Sequence, residues 1–210
     1  MTGRQTRSNG RETMARILDH ARRELDESGP VNFNIMRVIE QSGVSKSSVY
    51  HHFGGRDGVI TAVGVQRIIE ERALSYDLLA QVIDTLGSGR ELMDVLESTL
   101  RVASTDSGRA TRAHRIATLA AAQTIPLLND ALAEQAAVSD EVLAAVLERA
   151  VQHGLILPVL PLDEVARYIS SMFIGRSAMD TYRSESVDDG WVRVTMAVLD
   201  GLLNPQNHGR

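Results

Sequence analysis

The hydrophobic positions of this chain recur every three to four residues almost throughout, which predicts helices. Met14, Ile17, Leu18, Ala21 and Leu25 mark one face of a first amphipathic helix. Apolar and polar residues nowhere alternate over a sustained run, and no Asn-Gly pair separates two apolar runs. The predicted fold class is therefore all-α.

Glycine, proline and small polar residues divide this helical pattern into segments. Ser28-Gly29-Pro30 ends the first helix, and Gly54-Gly55 separates a third short helix from a fourth. The pattern predicts the later helices at roughly 56–85, 88–104, 108–123, 126–153, 162–183 and 188–203. It leaves open whether residues 56–87 form one helix or two.

Length and composition are those of a small soluble protein. The chain has 210 residues, of which 43% are hydrophobic and none is cysteine, so it can hold a packed core but no disulfide. Its first residues are polar and basic, and no apolar run approaches the ~18 residues of a membrane span. We expect a cytoplasmic protein with a flexible basic arm over 1–10, a three-helix domain over 11–55 and a larger helical domain over 56–210.

Charge is distributed unevenly along the chain. The net charge is −5, but residues 1–60 carry +2 and residues 61–210 carry −7. Residues 1–23 alone hold six arginines and two acids. Positive charge is thus concentrated at the amino end, which is what a protein that neutralises phosphates there would need. A chance fluctuation in charge would give the same distribution.

Residues 34–53 form the most specific pattern, a short helix, a glycine turn and a second short helix. Asn34 and Ser45 are good N-caps for the two helices. Gly43 stands at the turn, where a positive φ is often needed. The apolar residues spaced to fill a small core under the turn are Val44, Val49 and Phe53.

The outward face of the second short helix carries hydrogen-bond donors and no acid. Lys46 and Tyr50 form one i,i+4 pair on this face, and Ser47 and His51 form another. Such side chains can hold phosphates and meet base edges in a major groove. The pattern therefore predicts a helix-turn-helix that presents a recognition helix to DNA. An ordinary surface turn within a helical bundle is the alternative.

Further residues on both sides of this turn extend the pattern over about fifty positions. They are Ile17-Leu18, Ala21, Gly29, Ser42-Gly43-Val44-Ser45, Tyr50, His52-Phe53 and Arg56-Asp57. Together they resemble the DNA-binding segment of the TetR family of transcriptional regulators. The rest of the chain is similar to that family only in helical character and length.

The resemblance implies a set of DNA contacts. The recognition helix and its cap would contribute Ser45, Lys46, Ser47, Ser48, Tyr50 and His51. Asn34 and Arg37 would touch the backbone or an edge base, and Arg56 would grip a phosphate. This chain departs from the family at Ile39, where a small Ala is usual, and at Arg56, where a Lys is usual.

The last two predicted helices are apolar on two faces, so each needs two partners. One face would pack on its own domain, and the other would pack on a second copy, giving an isologous four-helix dimer interface. The residues assigned to that interface are Ser171, Ile174, Gly175, Ala178, Tyr182, Trp191, Met196 and Leu199. A fully buried hairpin in a monomer is the alternative. A dimer would present two recognition helices to a palindromic site.

The resemblance also implies a small-molecule pocket within helices four to eight. The candidate lining residues are Met93, His114, Gln123, Tyr168, Met172, Phe173 and Arg176, each of which also has a structural interpretation. His153, just before Gly154, suits a helix C-terminus.

No hydrolase, P-loop, zinc-protease or dinucleotide motif occurs in the sequence, and the adjacent His51 and His52 would point apart on a helix. We therefore expect no catalytic residue, no cofactor and no metal. The predicted function is a sequence-specific DNA-binding transcriptional regulator, a homodimeric repressor released from its operator by a small-molecule effector, with no membrane partner. A transcriptional activator of the same fold, a helical adaptor protein and the DNA-targeting part of a recombinase-like enzyme are the alternatives.

Overall fold

The computed structural model describes the backbone of residues 2–180 and 185–206, and their side chains except those of 2–9, 106–107 and 185–186. The described residues are almost entirely helical. The helices are α1 (Thr2–Asn32), α2 (Ile35–Ser42), α3 (Lys46–Phe53), α4 (Arg56–Arg72), α5 (Leu78–Ile83), α6 (Gly89–Ala103), α7 (Asp106–Ala122), α8 (Pro126–Gln152), α9 (Leu162–Ala178) and α10 (Glu185–Leu203). In the described part of the chain the only β pairing is an isolated bridge between Ile156 and Pro205. The predicted all-α fold is confirmed.

The breaks in the helical pattern fall at the predicted glycines. Gly29 has φ 69° and ψ 168°, so it interrupts α1 before the short turn that leads to α2. Gly43 and Gly54 end α2 and α3 in the left-handed conformation, with φ of 63° and 73°. A side chain at such φ values is strained, and glycine removes that strain.

The backbone contacts divide the chain into two compact units. The first unit comprises Met1–Ile69 and Ala117–Gln135, and the second comprises Glu70–Ile116 and Ala136–Arg210. The sequence predicted a boundary at residue 55, which would separate α4 from the three helices before it. The first unit instead includes most of α4, because Val59 and Val63 are fully buried in the same core as Val49.

The structure differs from the sequence prediction at the start of α1, and it answers the question left open for residues 56–87. Residues 2–10 continue α1, where a flexible arm was expected. They contain no proline, so each residue can add to a helix that is already nucleated. Between α4 and α5, residues Ala73–Asp77 form a π-helical turn, and the residues at both of its ends keep right-handed helical angles. Residues 56–83 are therefore one helical run with a π-bulge.

The second unit has its own core, built from α6, α8, α9 and α10. Leu92, Leu155, Val165 and Leu203 are almost completely buried in it. Leu199, which the sequence assigned to a dimer interface, is 4% exposed and lies in this core. The apolar pattern of α10 identified two faces but could not tell which of them packs inside the unit.

Candidate nucleic-acid interface

The turn between α2 and α3 is held by side-chain caps at both helix starts. The Asn34 Oδ1 accepts a hydrogen bond from the backbone N–H of Met36 at 3.0 Å. The Ser45 Oγ accepts one from the backbone N–H of Ser48 at 3.2 Å. Each cap satisfies a donor that the first helical turn leaves unpaired, as predicted from the sequence. The two short helices therefore begin at fixed residues.

A small apolar core lies beneath this turn. Val38 and Val49 are fully buried and Val44 is 6% exposed, while Phe53 packs against the same cluster at its edge. Full burial of one such side chain contributes roughly 1.5–3 kcal/mol. Ile39 is half-buried and packs at the edge of this core, so its larger side chain is accommodated there.

The outward face of α3 carries the predicted donors in exposed positions. Lys46, Ser47, Tyr50 and His51 are exposed, and Ser48 is half-buried. The Lys46 Nζ lies 5.6 Å from the centroid of the Tyr50 ring, within cation–π range. Among the ion pairs that join described residues, none includes Lys46. The ammonium group therefore keeps its charge available on a face that has no carboxylate.

Arg37 projects from α2 beside a buried acid that the sequence pattern did not single out. The Arg37 side chain is 58% exposed, and its Nη1 lies 3.5 Å from the Glu24 Oε1. The Glu24 side chain is only 1% exposed. Buried carboxylates are rare, and they are normally paired and hydrogen-bonded. A helical pattern places Glu24 on α1, but it cannot show that α2 packs over it.

Arg56, which was expected to grip a phosphate, forms hydrogen bonds within the first unit, and its phosphate contact stays a prediction. Its Nε donates to the Phe33 carbonyl at 3.3 Å, and its Nη2 donates to the carbonyls of Pro30 and Val31. Its Nη1 also pairs with Asp57 at 3.0 Å. Pro30 and Val31 lie in the last turn of α1, where carbonyls have no intrahelical partner, and the Arg56 guanidinium donates to them instead.

The joint between α3 and α4 depends on a close backbone approach. A Cβ atom added to Gly58 would overlap the carbonyl oxygen of Phe53. Gly55, at φ 140°, also lies against the Tyr50 ring, where an added Cβ atom would stand 3.6 Å from Cε1. The first turn of α4 therefore rests directly on the end of α3.

The residues predicted to form a dimer interface divide into three groups. Four of them lie on α9: Ser171, Ile174, Gly175 and Ala178. Ile174 is 45% exposed, and Ala178 is the last residue of the helix. Trp191 and Met196 are half-buried and pack against the core of the second unit, while Leu199 is buried in it. Tyr182 lies outside the described residues. The sequence did not assign Val194, which is 66% exposed on α10, to this face.

The residues predicted to line a ligand pocket lie in different surroundings, and their role in a pocket stays a prediction. Met93 is buried in the core of the second unit, and Met172 and Phe173 pack against that core. Tyr168 is 48% exposed, His114 is half-buried and Gln123 is exposed. A groove of about 580 Å³ in the second unit is lined by none of the seven candidates; its lining residues are Ala137, Asp140, Glu141, Ala144, Ala145, Glu148, Leu162, Asp163 and Arg167.

Arg176 belongs to a partly buried ion cluster. Asp180 accepts hydrogen bonds from Arg112 at 2.9 Å and from Arg109 at 3.1 Å, and it lies 3.1 Å from Arg176. Arg176 also pairs with Asp188. Burial raises the pKa of Asp180, but its hydrogen bonds and attractive charges, from Arg112 first, hold the net pKa below the ordinary value. The cluster joins α7 to the ends of α9 and α10.

Comparison with known proteins identifies the helix-turn-helix segment. Residues 17–63 match the family model described as bacterial regulatory proteins, tetR family. A TetR-family transcriptional regulator from Pectobacterium atrosepticum is 18% identical and superimposes with a TM-score of 0.66 over 95% of this chain and 98% of its own. The chain thus contains a segment that matches the tetR family model, and it has the fold of TetR-family structures. The predicted resemblance is thereby confirmed.

Other solved structures share this TetR-type fold. GusR from Salmonella enterica is 22% identical, with a TM-score of 0.65 over 92% of this chain and 96% of its own. A protein from Saccharomonospora viridis, solved in complex with choline, is 17% identical, with a TM-score of 0.60 over 90% of this chain and 95% of its own. No curated protein sequence matches the chain. No helix in its described part is long and apolar enough to cross a membrane.

Proposed function

We propose that this chain is a sequence-specific DNA-binding transcriptional regulator that acts as a dimeric repressor. The observation that carries the proposal is the outward face of α3, where Lys46, Ser47, Tyr50 and His51 are exposed on a helix whose start is capped and whose inner face is buried. A rigid helix that presents donors without a carboxylate suits the major groove.

Dimerisation is supported by the exposed face of α9 and α10. Ile174 and Val194 are exposed apolar side chains, and a Cβ atom added at Gly175 or Gly201 would meet nothing within 4 Å. Small residues beside exposed apolar ones allow two helix surfaces to approach closely. The proposed partner is a second copy of this chain, related by a two-fold axis.

Effector control is proposed for the second unit. Helix α4 spans Ile69, where the two units divide, and its first turn rests on the end of α3. An effector that binds one arrangement of α4 more tightly than another would shift the population of DNA-competent dimers. The choline complex of the Saccharomonospora protein supports the idea that this fold admits a small molecule.

The test is selection of duplexes from a random-sequence pool by the purified chain, followed by binding titrations at several salt concentrations. We expect an inverted repeat whose half-sites lie about one helical turn apart, and an affinity that falls steeply with salt. Failure to enrich any duplex at low salt would contradict the proposal.

The same assays separate the alternatives. A helical adaptor would show no steep salt-dependent duplex binding. A recombinase-like enzyme would transfer strands between labelled duplexes. Repression and activation are distinguished by transcription in vitro from a promoter that contains the selected site. Repression predicts fewer transcripts when the chain is added, and activation predicts more.

A further inference from the structure

The first unit contains one buried acid directly under the start of α2. The Glu24 Oε1 accepts hydrogen bonds from the Ser28 hydroxyl and from the backbone N–H of Asn34, each at 3.2 Å. The Nη1 of Arg37 lies 3.5 Å from the same oxygen. One carboxylate oxygen thus joins α1 to the start of α2 and to an arginine of its first turn.

The pairing leaves the Arg37 side chain largely exposed. Its side chain is 58% exposed, against 1% for Glu24. The Nη1 atom pairs with the buried carboxylate, although the side chain as a whole is exposed. An ion pair at one nitrogen restricts the rotamers of an arginine, while its other nitrogens can still donate hydrogen bonds to a ligand. The contact is long for a hydrogen bond, so it acts mainly as an ion pair.

We infer that Glu24 is a positioning residue for DNA binding: it holds Arg37 in the orientation in which the guanidinium meets the duplex. The inference rests on the proposed function. An arginine side chain loses much rotamer freedom when a complex immobilises it. Where a partner within the protein already restricts the side chain, less freedom remains to be lost when DNA binds.

Arg56, at the start of α4, is engaged differently. Its Nε and Nη2 donate to the carbonyls of Pro30, Val31 and Phe33, and its Nη1 pairs with Asp57. Arg56 therefore fixes the turn itself, whereas Glu24 acts on a side chain that stays exposed. Substitution of Glu24 is expected to change the orientation of the Arg37 side chain, in addition to any effect on the free energy of unfolding.

The test compares Glu24→Gln with Glu27→Gln on the selected duplex. Glutamine keeps the shape and an oxygen for Ser28 and Asn34 but loses the charge that holds Arg37. Glu27 is exposed on the same helix, so its substitution removes the same charge from the surface rather than from the interior. We expect Glu24→Gln to weaken binding about threefold to tenfold. Glu27→Gln is expected to leave the affinity equal to or slightly above that of the wild type.

A double-mutant cycle with Arg37→Ala separates positioning from stability. If Glu24 acts through Arg37, Glu24→Gln weakens binding in the wild-type background but not in the Arg37→Ala background. Equal weakening in both backgrounds, or none in either, would overturn the inference. Thermal melting curves of the four proteins identify a temperature at which all of them are folded, and binding is measured at that temperature.

A second measurement uses the free protein and does not depend on DNA. Side-chain ¹⁵Nε relaxation, with the Arg37 signal assigned by its loss in Arg37→Ala, should report faster motion of Arg37 in Glu24→Gln. Unchanged motion would overturn the inference. A wild-type chain that binds no duplex would overturn the proposed function and this inference together. Binding without coupling between the two residues would overturn the inference alone.

Discussion

The exposed ammonium of Lys46 provides the sharpest prediction about DNA binding. Lys46→Ala removes a cation that stands 5.6 Å from the Tyr50 ring and forms no ion pair with a carboxylate of the described residues. Because the side chain is exposed, the substitution should leave the stability of the first unit almost unchanged. Its effect on DNA binding should then report the contact alone.

The magnitude follows from counterion release. Each phosphate contact contributes about 0.9 to the slope of log affinity against log salt. A dimer loses two such contacts, so the slope should become shallower by about 1.8. Counted from 1 M salt, where log salt is zero, this difference in slope lowers the affinity at 0.1 M salt about eightfold per contact. For the two contacts of a dimer the loss is about sixtyfold.

The assay is fluorescence anisotropy with the selected duplex at four or more salt concentrations. Arg101→Ala is the matched control, because it removes a cation from α6 that already pairs with Glu97 and Asp189. The control should keep the wild-type slope. A Lys46→Ala protein with both the slope and the affinity of the wild type would refute the assignment of Lys46 to the DNA-contacting face.

Three further predictions concern base preference, assembly and acid stability. His51→Ala should change the preferred bases of the selected site without changing the salt slope, because His51 would meet base edges; repeated selection with the variant checks this. Ile174→Glu should dissociate the dimer in sedimentation experiments, since an isologous interface would bring two buried carboxylates together, whereas Val102→Glu, at a 69% exposed position on α6, should leave it intact. Asp180→Asn should lower the free energy of unfolding at pH 7 by about 3 kcal/mol, because it breaks a largely buried ion cluster. The folded-state pKa of Asp180 is lowered, so its stabilising contribution is present above about pH 4 and is lost as the pH falls through the folded pKa. The melting temperatures of the wild type and the variant should therefore converge in acid, and a gap that persists unchanged far below that pH would contradict this account.

Features set by neighbouring residues were predictable from the sequence. Gly43 requires a positive φ, and Asn34 and Ser45 cap the helices that follow them. Each of these features involves a side chain and a backbone group only a few residues apart. Local rules for caps and turns therefore located α2, α3 and the face of α3 that points outward.

Features set by packing between distant segments were not predictable in this way. Arg56 donates to carbonyls 23 to 26 residues earlier, and Glu24 accepts from an amide ten residues later. Leu199 has the same apolar character as the exposed Ile174, but it packs inside the second unit. Periodicity identifies an apolar face, and only the arrangement of the other helices decides what covers it.

A structure of the chain bound to its selected duplex would test the proposed mode of DNA binding. We expect two copies on one inverted repeat, with each α3 in a major groove and the recognition helices about 34–36 Å apart. Lys46 and Tyr50 should lie against phosphates, and Ser47 and His51 should lie against base edges. A complex in which α3 faces solvent, or in which another surface of the first unit contacts the duplex, would contradict it.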